Sequence, residues 1–236
     1  MPVKIINLAR IAAQIEKPFV VYQLTQMDDY SLDIYISEGA VMPHHHTHED
    51  ELFYVQQGVL TLETDWGTAV LQSDEMAVVP KGVNHRSWSL VRSLVLLFRC
   101  QLLADRKNGE RRVISLKGEG ELHSTNVISH IGDLDRSFDH KDLLHVDDCV
   151  VRLLLCRGYT RWHSHDHDEL LMVQEGELAL GTEHGPALVR PGEIVHIPAG
   201  LVHRLVSQRA VILCFVKESL SPREQAGQEF FGWTRE

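Results

Sequence analysis

Cysteine is scarce in this 236-residue chain. The four cysteines, Cys100, Cys149, Cys156 and Cys214, include no CxxC spacing. That removes a thiolate zinc knuckle or a redox pair and argues against a disulfide framework. Cys100 and Cys214 close apolar runs and read as small buried hydrophobes. Positive charge is also short, with 23 Lys and Arg against 33 Asp and Glu and a net charge of -10. No basic face is available to neutralise phosphates, which excludes a nucleic-acid partner. No apolar run approaches the ~20 residues of a membrane helix. Nor does the chain open on a basic segment followed by an apolar stretch, so a cytoplasmic location with no membrane partner is the expectation. No helix-turn-helix pattern is present. The hydrophobic share of 44% is nevertheless enough to fill globular cores.

Histidine is abundant. The chain has 15, concentrated in His44, His45, His46 and His48 and again in His163, His165 and His167. The two clusters belong to an internal repeat. Asp33-Ile34-Tyr35 aligns with Arg152-Leu153-Leu154, and Pro43-His44-His45-His46 with Trp162-His163-Ser164-His165 at the same offset. Glu51-Leu52-Phe53-Tyr54 then aligns with Glu169-Leu170-Leu171-Met172, and Val79-Pro80-Lys81-Gly82 with Ile197-Pro198-Ala199-Gly200, after the loss of one residue. Two copies of about a hundred residues indicate a duplicated domain rather than a solenoid. The join is placed near residue 112, within the charged stretch 105–112, giving domains 1–112 and 113–236.

Short runs with alternating apolar residues, bounded by turn signals, recur at 31–36, 51–56, 59–64, 68–71, 76–79 and 93–98, the pattern of antiparallel strands. Between residues 29 and 36, Tyr30, Leu32, Ile34 and Ile36 read as the buried face and Ser31, Asp33 and Tyr35 as the wet one. Gly58 and Gly176 sit where a positive φ is expected. Helical signals are confined to residues 8–16 and to a tail beyond Pro222 that ends in Phe230, Phe231 and Trp233.

Residues two apart in a strand project to one side. His44 with His46, and His163 with His165, can therefore each aim two imidazoles at one interior point. Glu51 or Glu169 opens the next strand, and His85 or His203 follows a Pro-x-Gly turn onto a later one. Imidazole with carboxylate suits iron, manganese, nickel, copper or zinc rather than calcium or magnesium. The pairs His46/His48 and His165/His167 have the same spacing, but the distance to the glutamate and the agreement between repeats favour His44/His46 and His163/His165. His45, His48 and His167 are left as turn or outer-strand residues, with a proton-transfer or ligand-supporting role open.

These motifs resemble those of the cupin superfamily. Its first motif is matched by Gly39, His44, His46, Glu51 and Gly58 and by Gly158, His163, His165, Glu169 and Gly176. Its second is matched in full by Gly192, Pro198, Gly200 and His203. In the first copy Asp74 stands where the motif opens on glycine, while Pro80, Gly82 and His85 hold. The resemblance implies an all-β fold of two tandem jelly-roll barrels with short helical terminal segments. It also implies one divalent transition metal per barrel, held by His44, His46, Glu51 and His85 and by His163, His165, Glu169 and His203. The family's functions range from dioxygenases to decarboxylases, isomerases, lyases, hydrolases and proteins without turnover, and fold does not choose among them.

A small-molecule enzyme of the oxidising, dioxygenase type is the favoured expectation, because this ligand set holds redox-active metals with a position left open. Non-redox isomerase, lyase or hydrolase chemistry with manganese or zinc is the alternative, with His48, His167 or Tyr54 as acid or base. A metal-dependent binding module without turnover is the third reading. A homodimer is compatible with the sequence. Arg86 and Arg204 follow the last histidine in both copies and could bind a substrate carboxylate, but one residue on they face the opposite side of the strand, which favours a structural or surface role. Trp88 and Trp162 are read chiefly as packing residues, with a pocket-lining role open.

Overall fold

The computed structural model describes residues 3–101 and 120–218. The expected join near residue 112 and the tail beyond Pro222 lie outside the described residues. Contacts divide the chain into one unit of residues 10–128 and another formed by residues up to 9 together with those from 129 onward. Among the described residues no helix is long and apolar enough to cross a membrane.

The chain begins with strand β1 (Lys4–Asn7) and a short helix α1 (Leu8–Ala12). The helix ends earlier than its sequence pattern, continuing only as single turns from Gln14 N to Ile11 O and from Ile15 N to Ala12 O. The first unit then builds β2 (Tyr22–Met27), β3 (Tyr30–Ala40), β4 (Glu51–Gln57), β5 (Val59–Thr64), β6 (Gly67–Gln72), β7 (Glu75–Val79), β8 (His85–Cys100) and β9 (Ser124–Asn126). Their order is β2-β3-β8-β4-β7-β9, with β5 on β8 and β6 on β5, every pair antiparallel.

After a 3₁₀ turn (Ile128–Asp133) the second unit repeats the plan with β10 (His140–Val146), β11 (Cys149–Tyr159), β12 (Glu169–Gly176), β13 (Leu178–Thr182), β14 (Gly185–Val189), β15 (Glu193–Ile197) and β16 (His203–Lys217). Its order is β1-β15-β12-β16-β11-β10, with β13 on β16 and β14 on β13. The edge strands come from unexpected places in the sequence. Residues 4–7 pair with β15 of the second unit, and residues 124–126 pair with β7 of the first.

One long strand rolls each sheet into a jelly-roll barrel. The early part of β8 pairs with β5 and its later part with β4, so it serves both faces; β16 does the same for β13 and β12. Inside the first barrel Tyr35, Phe53, Val55, Leu60, Leu62 and Val95 form one apolar cluster. Inside the second, Leu171, Val173, Leu178, Leu180 and Ile212 are among the core residues. Strand β3 departs from the expected wet and dry faces, because residues 30–37 are all buried. The face read as wet is the inside of the barrel: Tyr35 joins the apolar cluster, Ser31 Oγ donates to Asp33 Oδ2 at 3.1 Å, and Asp33 meets Arg99.

The motif departure at Asp74 falls on a left-handed residue, with φ of 67° against 77° at Gly192. Aspartate is among the few side chains that adopt this conformation, and here its Oδ1 also accepts the Tyr54 hydroxyl at 3.2 Å.

Candidate metal centres

Backbone hydrogen bonds lock the two halves of the histidine motif together before any side chain is considered. His44 N donates to His85 O at 2.9 Å and His85 N to His44 O at 2.8 Å; His163 and His203 exchange the same pair at 3.0 and 2.8 Å. The Pro-x-Gly turn is tied to the second histidine, with Gly82 N on His46 O at 2.6 Å and Gly200 N on His165 O at 2.8 Å. It is also tied to the residue before the glutamate, since Lys81 N donates to Asp50 Oδ1 at 2.9 Å and Ala199 N to Asp168 Oδ1 at 2.7 Å. Asp50 and Asp168 thus position the turn that carries His85 and His203. Their recurrence in register was a signal available in the sequence.

In the first barrel His44, His46, Glu51 and His85 each offer a ligand atom, and all four atoms lie within 4.8 Å of one another. Glu51 Oε2 is 3.0 Å from His46 Nε2 and 3.1 Å from His85 Nε2. The other ring nitrogens are engaged elsewhere: His44 Nδ1 with Met42 O at 2.9 Å, His85 Nδ1 with Val83 O at 3.0 Å, and His46 Nδ1 with Glu49 Oε1 at 3.3 Å. A ring whose Nδ1–H is donated leaves Nε2 as a lone pair. The Nε2 of His46 is buried without a hydrogen-bond partner, its contact to Glu51 being out of line. A buried ring nitrogen with no hydrogen-bond partner, facing two other imidazoles and a carboxylate, fits a divalent transition metal.

In the second barrel His163, His165 and His203 form the corresponding set within 4.8 Å. Glu169 stands outside that set, yet Oε1 is 3.5 Å from His165 Nε2 and Oε2 is 3.5 Å from His203 Nε2. Nδ1 of His163 faces Arg161 O at 2.7 Å and Nδ1 of His203 faces Leu201 O at 2.9 Å, again presenting Nε2 inward. His45, His48 and His167 belong to neither set.

The glutamates differ in what lies behind them. Arg99 Nη1 donates to Glu51 Oε1 at 2.8 Å, leaving Oε2 to the histidines, and Arg99 Nη2 lies 3.4 Å from Asp33 Oδ2. Strand register places Val216 where Arg99 would stand in the second barrel, and both oxygens of Glu169 face imidazoles. Burial pushes the Glu51 carboxyl up, but the surrounding His46, His85 and Arg99 outweigh it and hold the group well below the usual carboxylate range. Glu169 is likewise lowered, burial being outweighed by His203 and the neighbouring imidazoles.

Burial, together with the neighbouring His85 charge, lowers His44. Burial also lowers His163, to about 4, with His203 and His165 adding to the effect. The sign follows from linkage: His163 stays neutral in the fold while the unfolded chain takes up a proton near pH 6.5, so its contribution is full above that pH and is lost as pH falls toward 4. Metal-free protein is therefore expected to lose stability between pH 7 and pH 5. In His163→Gln that loss shrinks, as urea unfolding at the two pH values would show; equal losses would contradict the assignment.

Other candidates are accounted for structurally. Arg86 Nε and Trp88 Nε1 donate to the two oxygens of Glu63 at 2.6 and 2.8 Å. The Arg204 guanidinium lies 4.9 Å from the Trp162 ring centroid. Tyr54, on the opposite face of β4 from Glu51, is held by Asp74 and does not join the site. Cys149, Cys156 and Cys214 are buried thiols outside any disulfide, whereas Cys100 is partly exposed. Burial pushes the Cys156 thiol up to about 12, which removes it as a nucleophile.

Known proteins match both barrels. The model of the cupin domain matches residues 34–90 and 157–216, so both copies are recognised. The uncharacterised protein YdbB of Bacillus subtilis (strain 168) is 33% identical over 94 residues, 39% of this chain and 83% of the relative. The chain belongs to the cupin family. Among solved structures, a cupin 2 conserved barrel domain protein from Leptotrichia buccalis is similar with a TM-score of 0.72 and 12% identity, covering 92% of this chain and 98% of that one. The salicylate 1,2-dioxygenase of Pseudaminobacter salicylatoxidans is similar with a TM-score of 0.70 and 9% identity, covering 97% and 89%. At these identities the likeness is one of fold.

Proposed function

We propose that this cupin holds one divalent transition metal in each barrel, on His44, His46, Glu51 and His85 and on His163, His165, Glu169 and His203, and oxidises a small molecule in a dioxygenase-type reaction. The observation that carries the reading is that one ligand atom from each of His44, His46, Glu51 and His85 lies within 4.8 Å of the others, with His46 Nε2 buried and unmet. When bound, the metal supplies a redox-active or Lewis-acidic centre with one or two coordination positions left for oxygen, water or substrate. The chain's own groups set up that centre. Carbonyls of Met42 and Val83 fix the tautomers of His44 and His85, and those of Arg161 and Leu201 fix His163 and His203. Arg99 presents a single oxygen of Glu51, and the apolar wall of Phe53, Val55 and Leu97 excludes water from the first interior. A salicylate 1,2-dioxygenase shares this fold at 9% identity, so the scaffold is compatible with dioxygenase chemistry without selecting it.

The test is metal analysis of protein purified without added metal, beside His46→Ala and His165→Ala. Two metals per chain in wild type and one in each variant is the expected result, since even groups that only support a ligand change affinity by about 10–100-fold. Unchanged metal content in both variants would sink the ligand assignment. Zinc or another redox-inactive metal in both barrels, with no oxygen uptake on a panel of aromatic and aliphatic acids, would remove the oxidative reading.

A further inference from the structure

Each barrel points one arginine inward, and the two are committed differently. Both terminal nitrogens of Arg99 face carboxylates, Glu51 and Asp33. In the second barrel Arg152 occupies the position that Asp33 holds in the first, opposite Cys214 as Asp33 is opposite Leu97. Arg152 is 5% exposed, and its neighbours on the same face of β11, Val150 and Cys156, belong to the second core. Its ion pair is with Asp142, whose Oδ1 is 2.9 Å from Nε but whose side chain is 41% exposed on the edge strand β10. That contact is out of line for a hydrogen bond, and both Nε and Nη1 are buried without one. Arg99 also has an unmet Nε, but its Nη atoms are taken.

The interior charges differ in the same direction: Glu51 and Asp33 stand against Arg99 in the first barrel and Glu169 alone against Arg152 in the second, where the other carboxylate, Asp142, has its side chain 41% exposed at the sheet edge. Burial raises the Cys214 thiol, Glu169 adds to the rise and Arg152 opposes it, so the guanidinium and Glu169 act on one interior. A planar fork with vacant donors in a water-poor interior is matched by a carboxylate.

We propose that the second barrel binds a small carboxylate ligand on Arg152, and that the first barrel, whose corresponding position is Asp33, has no such site. It is tested on the full chain after chelation, so that no metal contributes to binding. Formate, acetate and benzoate are titrated calorimetrically against acetamide and benzamide. At least one carboxylate is expected to bind once per chain while its amide does not, with affinity falling at least tenfold in Arg152→Gln and at least threefold in Arg152→Lys. Failure of all three carboxylates to bind, equal binding of acid and amide, or unchanged affinity in a folded Arg152 variant would overturn the proposal. Circular dichroism reports folding; if Arg152→Gln fails to fold, Arg152→Lys and the acid and amide contrast in wild type decide the matter. Metal content is measured in parallel. Lost carboxylate binding with unchanged metal supports the site, and loss of the metal reading alone leaves it standing.

Discussion

Arg99→Ala is expected to lower the stability of the metal-free first barrel by about 3–5 kcal/mol, the cost of removing one partner from a buried ion pair. Asp33 and Glu51 are 1% and 2% exposed, and a single guanidinium serves both. Without it two carboxylates in a water-poor interior lose the guanidinium that contacts both. For a barrel of this size the melting transition should fall by roughly 10–20 °C. Two further measurements separate this cause from lost packing. Adding Asp33→Asn to Arg99→Ala should recover part of the loss, because only Glu51 is then left uncompensated. Adding zinc or manganese should raise the melting temperature of the variant more than that of wild type, since a cation on Glu51 replaces the missing charge.

The pH dependence has a definite sign. Glu51 is depressed in the fold, so its contribution is present above the ordinary glutamate range and is lost as pH falls through the lowered value. Arg99→Ala removes part of that depression, and the gap between variant and wild type should narrow in acid. A stability change under about 1 kcal/mol at neutral pH, the size found for exposed pairs, would mean that the Arg99 cluster is solvated and does not hold Glu51.

The division between what could be read from the chain and what could not follows the range of the interactions. The clustering of the histidines was legible because HxH spacing acts over two residues and is repeated with its glutamate, Pro-x-Gly turn and final histidine. Strands such as residues 59–64 were legible from alternation, which the structure reproduces with the same bounds. Arg99 was not, because its role depends on a cross-strand pairing with Glu51 that joins residues 48 positions apart. Asp33 and Tyr35 were assigned to water for a related reason: alternation distinguishes two faces of a strand but does not say that a rolled sheet buries both. The edge strand β1 escaped notice as well. Four residues carry too little pattern to be told from a loop, and what fixes them is the ladder with β15, from Lys4 opposite His196 to Asn7 opposite Glu193.

Gly176→Ala should produce the second large effect, about 2–5 kcal/mol, as the sum of left-handed backbone strain and overpacking. The expected positive φ is present, 74° at Gly176 and 93° at Gly58, each just after a bulge in β12 or β4. A β-carbon at Gly176 would overlap the carbonyl oxygen of Arg209 and stand 3.1 Å from Ala210 Cα. Both obstacles are backbone of β16, so no side-chain rotation relieves them. Gly200 supplies the internal control: its φ is 75°, and a β-carbon there meets nothing within 4 Å. Gly200→Ala should therefore cost only the strain of the left-handed conformation, roughly 1–2 kcal/mol, while keeping the amide that holds His165. Urea unfolding of the two variants isolates the close approach of strands β12 and β16. Equal losses would show that β16 yields at Arg209, in which case the same compliance should let His203, at the start of that strand, shift relative to Glu169.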